Sequence, residues 1–408
     1  MRYWPLSDYA DIKGGKRLPK GKNLTTTPTP HPYIRVRDLG SEKVLEVSPA
    51  YEYVDSETQK TIFRYIVEKG DVIISIVGTI GRAAIIGETL NGANLTENCA
   101  KIVNISGLDK HFLYYYLISE EGQNAISAAT VGAVQAKLPL KNIEAIPIPN
   151  YTLDDQRAIA DTLSALDDKI ANNKKINHHL EQMAQAIFKS WFVDFEPFGG
   201  TMPDEWREGT LGQFVSIKRG GSPRPIQDFL SDTGLRWLKI SDVTALQTPY
   251  VLEIKEHIRE TGLRKTVFLK SGALVLSNSA TPGIPKILGV DTCIHDGWLY
   301  FPSSLFSNEY LYLFFNHIRQ NLVALGNGSV FTNLKTDILK SYAVSVPNDQ
   351  TLQKFDDLIA PLFREMESCT RESLKLNTLR NALLPRLMSG ELSVADIKIE
   401  DRAQDMQP

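Results

Sequence analysis

Apolar residues recur at alternating steps of three and four in two stretches of the chain, a spacing typical of helices that pack along a seam. The second stretch repeats the first 196 positions later without a gap. Each predicted helix runs about 35 to 40 residues, or about 55 to 60 Å in length. Polar residues such as Asn173 and Asn177 occupy the centre of the first seam. The predicted seam residues are Ile159, Leu163, Leu166, Ile170, Leu180, Met183, Ile187, Phe355, Ile359, Leu362, Met366, Leu376, Leu379 and Leu383.

Shorter apolar runs next to glycine precede each predicted helix and indicate strands of a mixed α/β domain. The run Gly70–Ser75 (GDVIIS) reappears as Gly272–Ser277 (GALVLS). The distance between matching positions falls steadily along the chain, from 205 residues near the N-terminus to 196 in the helices. Chance matches would scatter, so this drift indicates two homologous domains whose loops differ by small insertions and deletions.

The pattern therefore predicts an α+β protein. It contains two homologous mixed α/β domains separated by two long antiparallel coiled-coil helices, as a tandem repeat with an approximate two-fold axis. We expect the helices to be antiparallel because the ends of a domain usually lie close together, so the second helix starts where the first ended. The globular domains would then sit at opposite ends of a rod. The predicted segments are a first domain (1–150), a first helix (151–198), a second domain (199–348), a second helix (349–392) and a flexible tail (393–408).

Composition and charge narrow the class of protein. With 45 basic and 48 acidic residues the net charge is −3, whereas nucleic-acid-binding domains are often strongly basic. The positive charge is nevertheless concentrated locally, because Lys13 to Lys22 contains cations and no acid. No apolar run reaches the roughly 18 residues of a membrane span, and no signal-peptide pattern is present. We therefore expect a cytoplasmic protein with no membrane partner.

The cysteines predict neither a disulfide framework nor a metal site. Cys99, Cys293 and Cys369 lie far apart in the sequence, without a histidine at metal-ligand spacing. We expect three buried thiols.

Five stretches, spread over both repeats, form a recognisable set: Lys13–Lys16, Asp154–Ile159, Ile187–Pro197, Lys218–Gly221 and Leu383–Leu392. Together with two globular domains that each lead into a long helix, they resemble the specificity subunit of type I restriction-modification systems. The resemblance covers essentially the whole chain.

This resemblance implies a non-catalytic subunit of a DNA adenine methyltransferase and restriction endonuclease complex. Each globular domain would be a target-recognition domain that reads one half of an asymmetric, bipartite site in double-stranded DNA, with an unread spacer between the halves. The helices would act as a spacer and as a dock for two methylation subunits, which restriction subunits would join. S-adenosylmethionine would be bound by the methylation subunits, and this chain would hold no cofactor.

Candidate DNA contacts lie in loops, because only loops can enter a groove beside a globular domain. Glycines in the basic loops would let the backbone approach phosphate closely. Arg35 and Arg37 either face DNA or cover the sheet, and small polar side chains suit base edges and turns alike. The candidates are Lys13, Lys16, Arg17, Lys20, Lys22, Arg35, Arg37, Ser75, Thr79, Arg82, Gln135, Lys137, Lys218, Arg219, Ser222, Arg224, Lys239, Ser241, Ser277, Asn278, Thr281, Asn333 and Lys335.

Aromatic residues crowd the end of the first helix. Phe188, Phe192 and Phe195 either bind a methylation subunit or seat the second globular domain on the helix. For Trp191 we favour the structural role, because its repeat equivalent is Leu387.

Two other classes of protein are alternatives. A methyltransferase or nuclease fused to its own reader would need a glycine-rich cofactor loop after a strand and an Asn-Pro-Pro-aromatic type of motif. The nearest string, Ile148–Tyr151 (IPNY), has the wrong order, and no GxxxxGK[ST] phosphate loop appears either. A coiled-coil adaptor with two protein-binding heads is the non-enzymatic alternative. Steep salt dependence of DNA binding distinguishes a DNA reader from such an adaptor.

Overall fold

The computed structural model describes residues 2–40, 42–132, 134–326 and 334–394. Residues 395–408 of the predicted tail and the candidate Asn333 lie outside the described residues. The chain divides into two compact units, Met1–Lys169 with Leu376–Pro408, and Ile170–Lys375. Within the described ranges, no helix has both the length and the apolar character needed to cross a membrane.

The first unit is built from ten short strands and four short helices in its described part, followed by a long helix. The strands are Tyr3–Pro5 (β1), Asp11–Gly14 (β2), Pro32–Ile34 (β3), Val44–Leu45 (β4), Glu52–Tyr53 (β5), Val72–Ser75 (β6), Ala83–Ile86 (β7), Asn94–Leu95 (β8), Cys99–Val103 (β9) and Pro147–Pro149 (β10). The helices are Ser56–Ile62 (α1), Lys110–Ile118 (α2), Glu120–Ala129 (α3), Leu140–Glu144 (α4) and the long helix Leu153–Phe192 (α5), whose later part belongs to the second unit. The sheet orders are β2-β9-β6-β7-β4, β5-β3-β8 and β1-β10.

The second unit has a similar set of elements. Its strands are Arg207–Thr210 (β11), Val215–Arg219 (β12), Leu230–Ser231 (β13), Leu235–Leu238 (β14), Tyr250–Val251 (β15), His257–Ile258 (β16), Val267–Leu269 (β17), Leu274–Ser277 (β18), Pro285–Leu288 (β19), Thr292–Ile294 (β20), Trp298–Ser304 (β21) and Ala343–Val346 (β22). Its helices are Leu211–Phe214 (α6), Asn308–Gly326 (α7), Thr336–Lys340 (α8) and the long helix Asp349–Met388 (α9). The sheet orders are β12-β21-β18-β19-β15, β13-β16-β14-β20-β17 and β11-β22.

The two globular domains share one strand topology. The order β2-β9-β6-β7-β4 corresponds strand by strand to β12-β21-β18-β19-β15. In both sheets only the last pair, β7 with β4 and β19 with β15, is parallel. A second parallel pair, β3 with β8 and β14 with β20, also recurs. The predicted tandem repeat of mixed α/β domains is confirmed.

Each central sheet is covered by an aromatic-rich helix. Residues 112–117 of α2 and residues 310–315 of α7 are buried without a polar gap, because these helices are enclosed by other elements rather than lying on the surface. Asp109 begins α2 by accepting hydrogen bonds from the backbone amides of His111 and Phe112, both at 2.9 Å. These helices and sheets form the main core of each unit.

The long helices α5 and α9 each span 40 residues, and they pack antiparallel in each unit. In the first unit, Arg380 donates to Asp167 at 2.6 Å, whereas Tyr151, just before α5, reaches the carbonyl of Leu387 at 3.1 Å. In the second unit, Asn173 donates to Glu372 at 2.7 Å, and Phe188 lies 6.1 Å from Phe355. In each unit, residues later in α5 contact residues earlier in α9, as expected of antiparallel helices.

The seam prediction is wrong for Met183 and Leu379, which are 51% and 47% exposed. Ala184 and Phe188 are buried instead on α5, and Leu384 is buried instead on α9. A straight helix drifts about 20° per heptad from a strict seven-residue repeat, and each helix also packs on a globular core. The buried stripe therefore moves by one residue. The other predicted seam residues, whose numbers are given above, are buried or half-buried.

The aromatic end of α5 packs within the second unit. Phe188 is only 3% exposed, and its ring lies 5.3 Å from Tyr310. Phe192 lies 5.0 Å from Tyr310, and Phe195 lies 5.7 Å from Trp206. The prediction that Phe188 contacts a partner subunit is wrong, because its ring is enclosed by the core. The contacts of the half-buried Phe192 and Phe195 favour the alternative that this cluster seats the second globular domain on the helix.

The three cysteines are buried thiols, as predicted. Burial raises the pKa of Cys99 to about 12 and that of Cys293 to about 11. Because the thiolate is the reactive form, both side chains act as small apolar core residues at neutral pH.

Candidate nucleic-acid interface

A glycine-rich basic loop (residues 15–22) follows strand β2 of the first unit. The Gly15 amide donates to the carbonyl of Cys99 at 3.1 Å, which fixes the start of the loop. A Cβ atom on Gly15 would lie 2.0 Å from the carbonyl oxygen of Thr96, so only glycine fits. The loop is therefore held against the turn that precedes β9.

The basic loop of the second unit (residues 220–227) is fixed in the same way. The Gly220 amide donates to the carbonyl of Trp298 at 2.8 Å. A Cβ atom here would lie 2.2 Å from the carbonyl oxygen of His295. Both loops thus depend on one glycine that permits close backbone contact.

One carboxylate pairs with an arginine of each basic loop. In the first unit, Arg17 donates to Glu97 at 2.6 Å. In the second, Ser222 donates to Asp296 at 2.7 Å, and Arg224 pairs with the same carboxylate at 3.0 Å. We call the segments around these acids, residues 96–98 and 295–297, the acidic turns.

Both acids are ionised at neutral pH. The hydrogen bond from Ser222 is the main cause that lowers the pKa of Asp296. Partial burial would raise the pKa of Glu97, but hydrogen bonding, chiefly from Arg17, lowers it overall. Each acidic turn therefore orients the basic loop and cancels part of its positive charge.

A serine hydroxyl clasps a neighbouring hairpin in each unit, residues 75–82 and 277–284. Ser75 donates to the carbonyl of Thr79 at 2.6 Å and accepts from the Arg82 amide at 2.9 Å. Ser277 donates to the carbonyl of Thr281 at 2.6 Å and accepts from the Ile284 amide at 2.8 Å. The prediction that Ser75 and Ser277 contact DNA is wrong, because both are fully buried and their hydroxyls hold the loop. We call these segments the serine hairpins.

Backbone hydrogen bonds join the loops of the first unit into a continuous edge. The Ile76 amide, in the serine hairpin, donates to the carbonyl of Asn98 in the acidic turn at 2.8 Å. The Leu138 amide then donates to the carbonyl of Ile76 at 3.0 Å. Leu138 follows the tip loop, whose described residues are 131–132 and 134–137. We call the basic loop, acidic turn, serine hairpin and tip loop together the rim.

The second unit repeats this ladder. The Asn278 amide donates to the carbonyl of Gly297 at 2.9 Å, and the Leu334 amide donates to the carbonyl of Asn278 at 2.7 Å. The side chain of Asn278 is 3% exposed and donates to the carbonyl of Asp296 at 3.2 Å. The prediction that Asn278 reads DNA is therefore wrong, because its side chain is used to join the loops.

The rim of the second unit borders a cleft of about 830 Å³. Four of the candidate residues meet there, Ser222, Arg224, Lys239 and Ser241. Burial lowers the pKa of His295, another wall residue, so its imidazole is neutral at pH 7. The remaining walls are Pro223, Pro225, Ile226, Gln227, Trp237, Ile240, Ser279 and Ala280. Apolar walls with a few polar groups suit the recognition of a planar or partly apolar group.

Acidic residues also pair with the basic candidates that follow β3 in the first unit and β14 in the second. Arg35 and Arg37 both pair with Glu52, the latter at 2.7 Å. Lys239 pairs with Glu256 in the corresponding place of the second unit. These contacts favour the alternative that Arg35 and Arg37 cover the sheet. Lys22 of the first basic loop is paired with Glu57 in the same way.

Most of the other candidates are exposed on the basic loops, the serine hairpins or the tip loop, or next to them. Arg82 donates to the carbonyl of Leu39 at 2.9 Å, and Thr281 is half-buried. Among the described side chains, no group of three His, Cys, Asp or Glu residues is placed to hold a metal ion. The exposed candidates are Lys13, Lys16, Lys20, Thr79, Arg82, Gln135, Lys137, Lys218, Arg219 and Lys335.

The pattern of cations did not reveal Glu97 and Asp296, because they lie in turns far along the chain from the loops they hold. The repeat does contain a signal. These two acids are 199 positions apart, which lies within the drift of offsets, and each follows a strand that pairs in parallel with β3 or β14. A search for acids shared by the two repeats finds them.

Comparisons with known proteins agree on one family. The family described as "Type I restriction modification DNA specificity domain" matches residues 2–182 and 203–376. A type I restriction enzyme MjaIX specificity subunit of Methanocaldococcus jannaschii is 24% identical, over 96% of this chain and 93% of the relative. The HindI specificity subunit of Haemophilus influenzae is 22% identical, over 80% of this chain and 87% of the relative.

The fold is also similar to a solved structure. The crystal structure of a type I restriction-modification system S subunit from M. genitalium aligns with a TM-score of 0.58 at 17% identity. The alignment covers 94% of this chain and 95% of that one. Because the family profile matches in two segments, one on each repeat, the chain belongs to the family of type I restriction modification DNA specificity domains.

Proposed function

We propose that each unit reads one half of an asymmetric, bipartite site in double-stranded DNA, with an unread spacer between the halves. The observation that carries the proposal is that each unit has its own basic loop, acidic turn and serine hairpin, joined in the same way, but with different exposed side chains. A shared backbone frame with different exposed groups is what two different half-sites require.

The basic loops are the parts that would contact phosphate. Lys16 and Lys20 are exposed on the basic loop of the first unit, and Lys218 is exposed near the end of β12, just before the basic loop of the second unit. Thr79 and Gln135 in the first unit, and the cleft of the second, lie further along each rim and would contact bases. Phosphate contacts would position the chain, and base contacts would specify the sequence.

The local acids limit the electrostatic contribution. Glu97 and Asp296 cancel part of the charge of the basic loops, and the whole chain carries a net charge of −3. Exposed cations beyond these pairs, such as Lys16, Lys20 and Lys218, would still release counterions, so DNA binding by this chain should weaken steeply as the salt concentration rises.

The family resemblance supports the wider assembly. In this proposal the chain is a non-catalytic subunit, two methylation subunits bind it, and restriction subunits join them. S-adenosylmethionine is bound by the methylation subunits and supplies the methyl group that they transfer to adenine. This chain selects and positions the DNA.

The test is to combine the chain with its cognate methylation subunit and S-adenosylmethionine, and to map methylated adenines on random-sequence DNA. We expect a split motif with an unread gap. Exchanging residues 1–150 for those of a relative should change one half of the motif only. Sequence-independent methylation, or a motif that stays unchanged after the exchange, would contradict the proposal and favour a protein-binding adaptor.

One variant in each unit tests which half-site is read by which rim. Glu97→Gln frees Arg17 and should relax recognition of one half, while Asp296→Asn should relax the other. Glu68→Gln, at an exposed acid of the first unit, is the control. Both rim variants remove a negative charge, so non-specific DNA binding should rise slightly as specificity falls. Loss of both halves in either variant would indicate general misfolding instead.

A further inference from the structure

The tip loop of the first unit exposes an apolar side chain at a place where nothing in the unit covers it. Val134 is 97% exposed, and Val131 at the start of the loop is half exposed. Neither residue belongs to a core cluster of its unit. Isolated exposed valines are common, so exposure alone indicates no function. The position of this valine on the rim is what makes it informative.

The tip loop is tied to the rest of the rim by the backbone. The Val131 amide donates to the carbonyl of Lys137 at 2.9 Å, and the Lys137 amide donates back at 2.9 Å. Val77, in the serine hairpin, forms a β-bridge with Lys137. The two ends of the loop are therefore paired with each other, and its base stands beside the hairpin that carries Thr79.

Several residues near Val134 are polar. Gln135 and Lys137 in the same loop are exposed, as is Thr79 in the adjacent hairpin. Protein interfaces usually need a contiguous apolar patch of a few hundred Å², and Val134 with the half-exposed Val131 is smaller than that. A single apolar group on a polar DNA edge is a better match in size.

Base edges in the major groove offer one apolar group, the C5-methyl of thymine, next to hydrogen-bonding atoms. A valine followed by an exposed glutamine and lysine, in a loop beside the hairpin that carries an exposed threonine, has the complementary arrangement. Resting on the proposed function of this rim, we propose that Val134 is a specificity-determining residue that contacts the C5-methyl of a thymine in the half-site read by the first unit.

The test is a double-mutant cycle between protein and DNA. The chain, assembled with its methylation subunit, is assayed on duplexes in which each thymine of the half-site is replaced singly by uracil, which lacks only the methyl group. Burial of one methyl group contributes about 4-fold in affinity. We expect one uracil position to lower the kcat/KM of methylation about 4-fold for the wild-type protein.

In Val134→Ala, thymine and uracil at that position should be equivalent, because the group that contacts the methyl is gone. Coupling between the two changes is the diagnostic result. Val44→Ala, at a partly exposed valine on β4, should keep the full preference for thymine. Uracil in the half-site read by the second unit should have the same effect in wild type and in Val134→Ala.

The outcomes separate this proposal from the proposed function. A split motif, together with a half-site that lacks thymine or tolerates uracil everywhere, overturns the role of Val134 and leaves bipartite reading intact. A uracil effect that persists unchanged in Val134→Ala also overturns it, because another residue then contacts the methyl. Sensitivity to Val134→Ala without any uracil effect would indicate insertion between bases or a protein contact, and overturns it as well. Absence of any split motif overturns the proposed function itself.

Discussion

The side-chain amide of Asn177 on α5 donates to the hydroxyl of Thr370 on α9 at 3.0 Å. The same hydroxyl lies 2.9 Å from that of Thr248, in the globular domain of the second unit. One threonine thus connects both helices to the domain that they carry. A buried polar contact of this kind fixes the register of a helix pair, because a shifted register leaves the amide without a partner.

We predict that Thr370→Val destabilises the second unit by about 1 to 3 kcal/mol, because it leaves a buried amide unsatisfied while keeping the shape of the side chain. The measurement is the free energy of unfolding in urea. Thr162→Val is a matched control, because the hydroxyl of Thr162 bonds only to a carbonyl of its own helix in the described contacts. Equal effects of the two variants would show that the connection contributes nothing beyond the intrahelical bond.

Gly15→Ala should disturb the basic loop of the first unit. The added Cβ would meet the carbonyl oxygen of Thr96 at 2.0 Å, so the backbone must move. Overpacking of this kind costs about 1 to 3 kcal/mol. We expect lower stability in urea unfolding and loss of one half of the methylation motif. Gly40→Ala is the control, because a Cβ there meets nothing within 4 Å. A stable Gly15→Ala protein with an unchanged motif would refute the role of the glycine.

A buried residue of α5 and a predicted seam residue that proved exposed give a direct comparison. Phe188→Ala removes a ring that packs in the core of the second unit and should cost about 3 to 5 kcal/mol. Met183→Ala lies on the same helix but is half exposed, and it should change stability by no more than about 0.5 kcal/mol. Thermal unfolding of both variants measures the difference. A large loss of stability in Met183→Ala would support the predicted seam instead.

Lys286 should make the stability of the second unit depend on pH. Its ammonium group is buried and donates to the carbonyl of Leu246 at 2.9 Å and to that of Thr248. Burial lowers its pKa from 10.5 to about 8. Between these values the unfolded chain binds more protons than the folded one, so this residue makes stability rise as pH increases from 8 to 10.5.

Lys286→Met removes this titration and isolates it. The free energy of unfolding of the wild type minus that of the variant should increase by about 1 to 3 kcal/mol between neutral pH and pH 10. Measuring the difference cancels the tyrosines and other groups that titrate in the same range. A constant difference would show that the pKa of Lys286 is the same in the folded and the unfolded chain.

The sequence was sufficient for the repeat, both long helices and the thiols, because each leaves a signal that is periodic or strictly local. It was insufficient for the exact seam. Met183 and Ala184 are adjacent, and which one is buried depends on the helical drift and on the core that α5 meets. The spacing of apolar residues in the sequence shows neither the drift nor the position of that core.

The candidate nucleic-acid interface was likewise predictable only in part. The basic loops could be recognised from cations next to glycine, whereas Ser75 and Ser277 were assigned to DNA because a small hydroxyl suits a base edge and a turn equally well. Only their hydrogen bonds distinguish the two roles. Glu97 and Asp296 were missed because an acid that holds a distant loop resembles any surface acid in the sequence.

The serine clasp has a consequence for how new specificities arise. Ser75 holds its hairpin through a carbonyl and an amide of the backbone, atoms that every residue supplies. The side chains between the clasped positions can therefore change without altering the bonds that shape the loop. Ser277 gives the second unit the same freedom. The exposed residues of each serine hairpin can thus be substituted, naturally or by design, while the backbone of the hairpin is kept. Such substitutions can alter the half-site read by one unit while the other unit keeps its target.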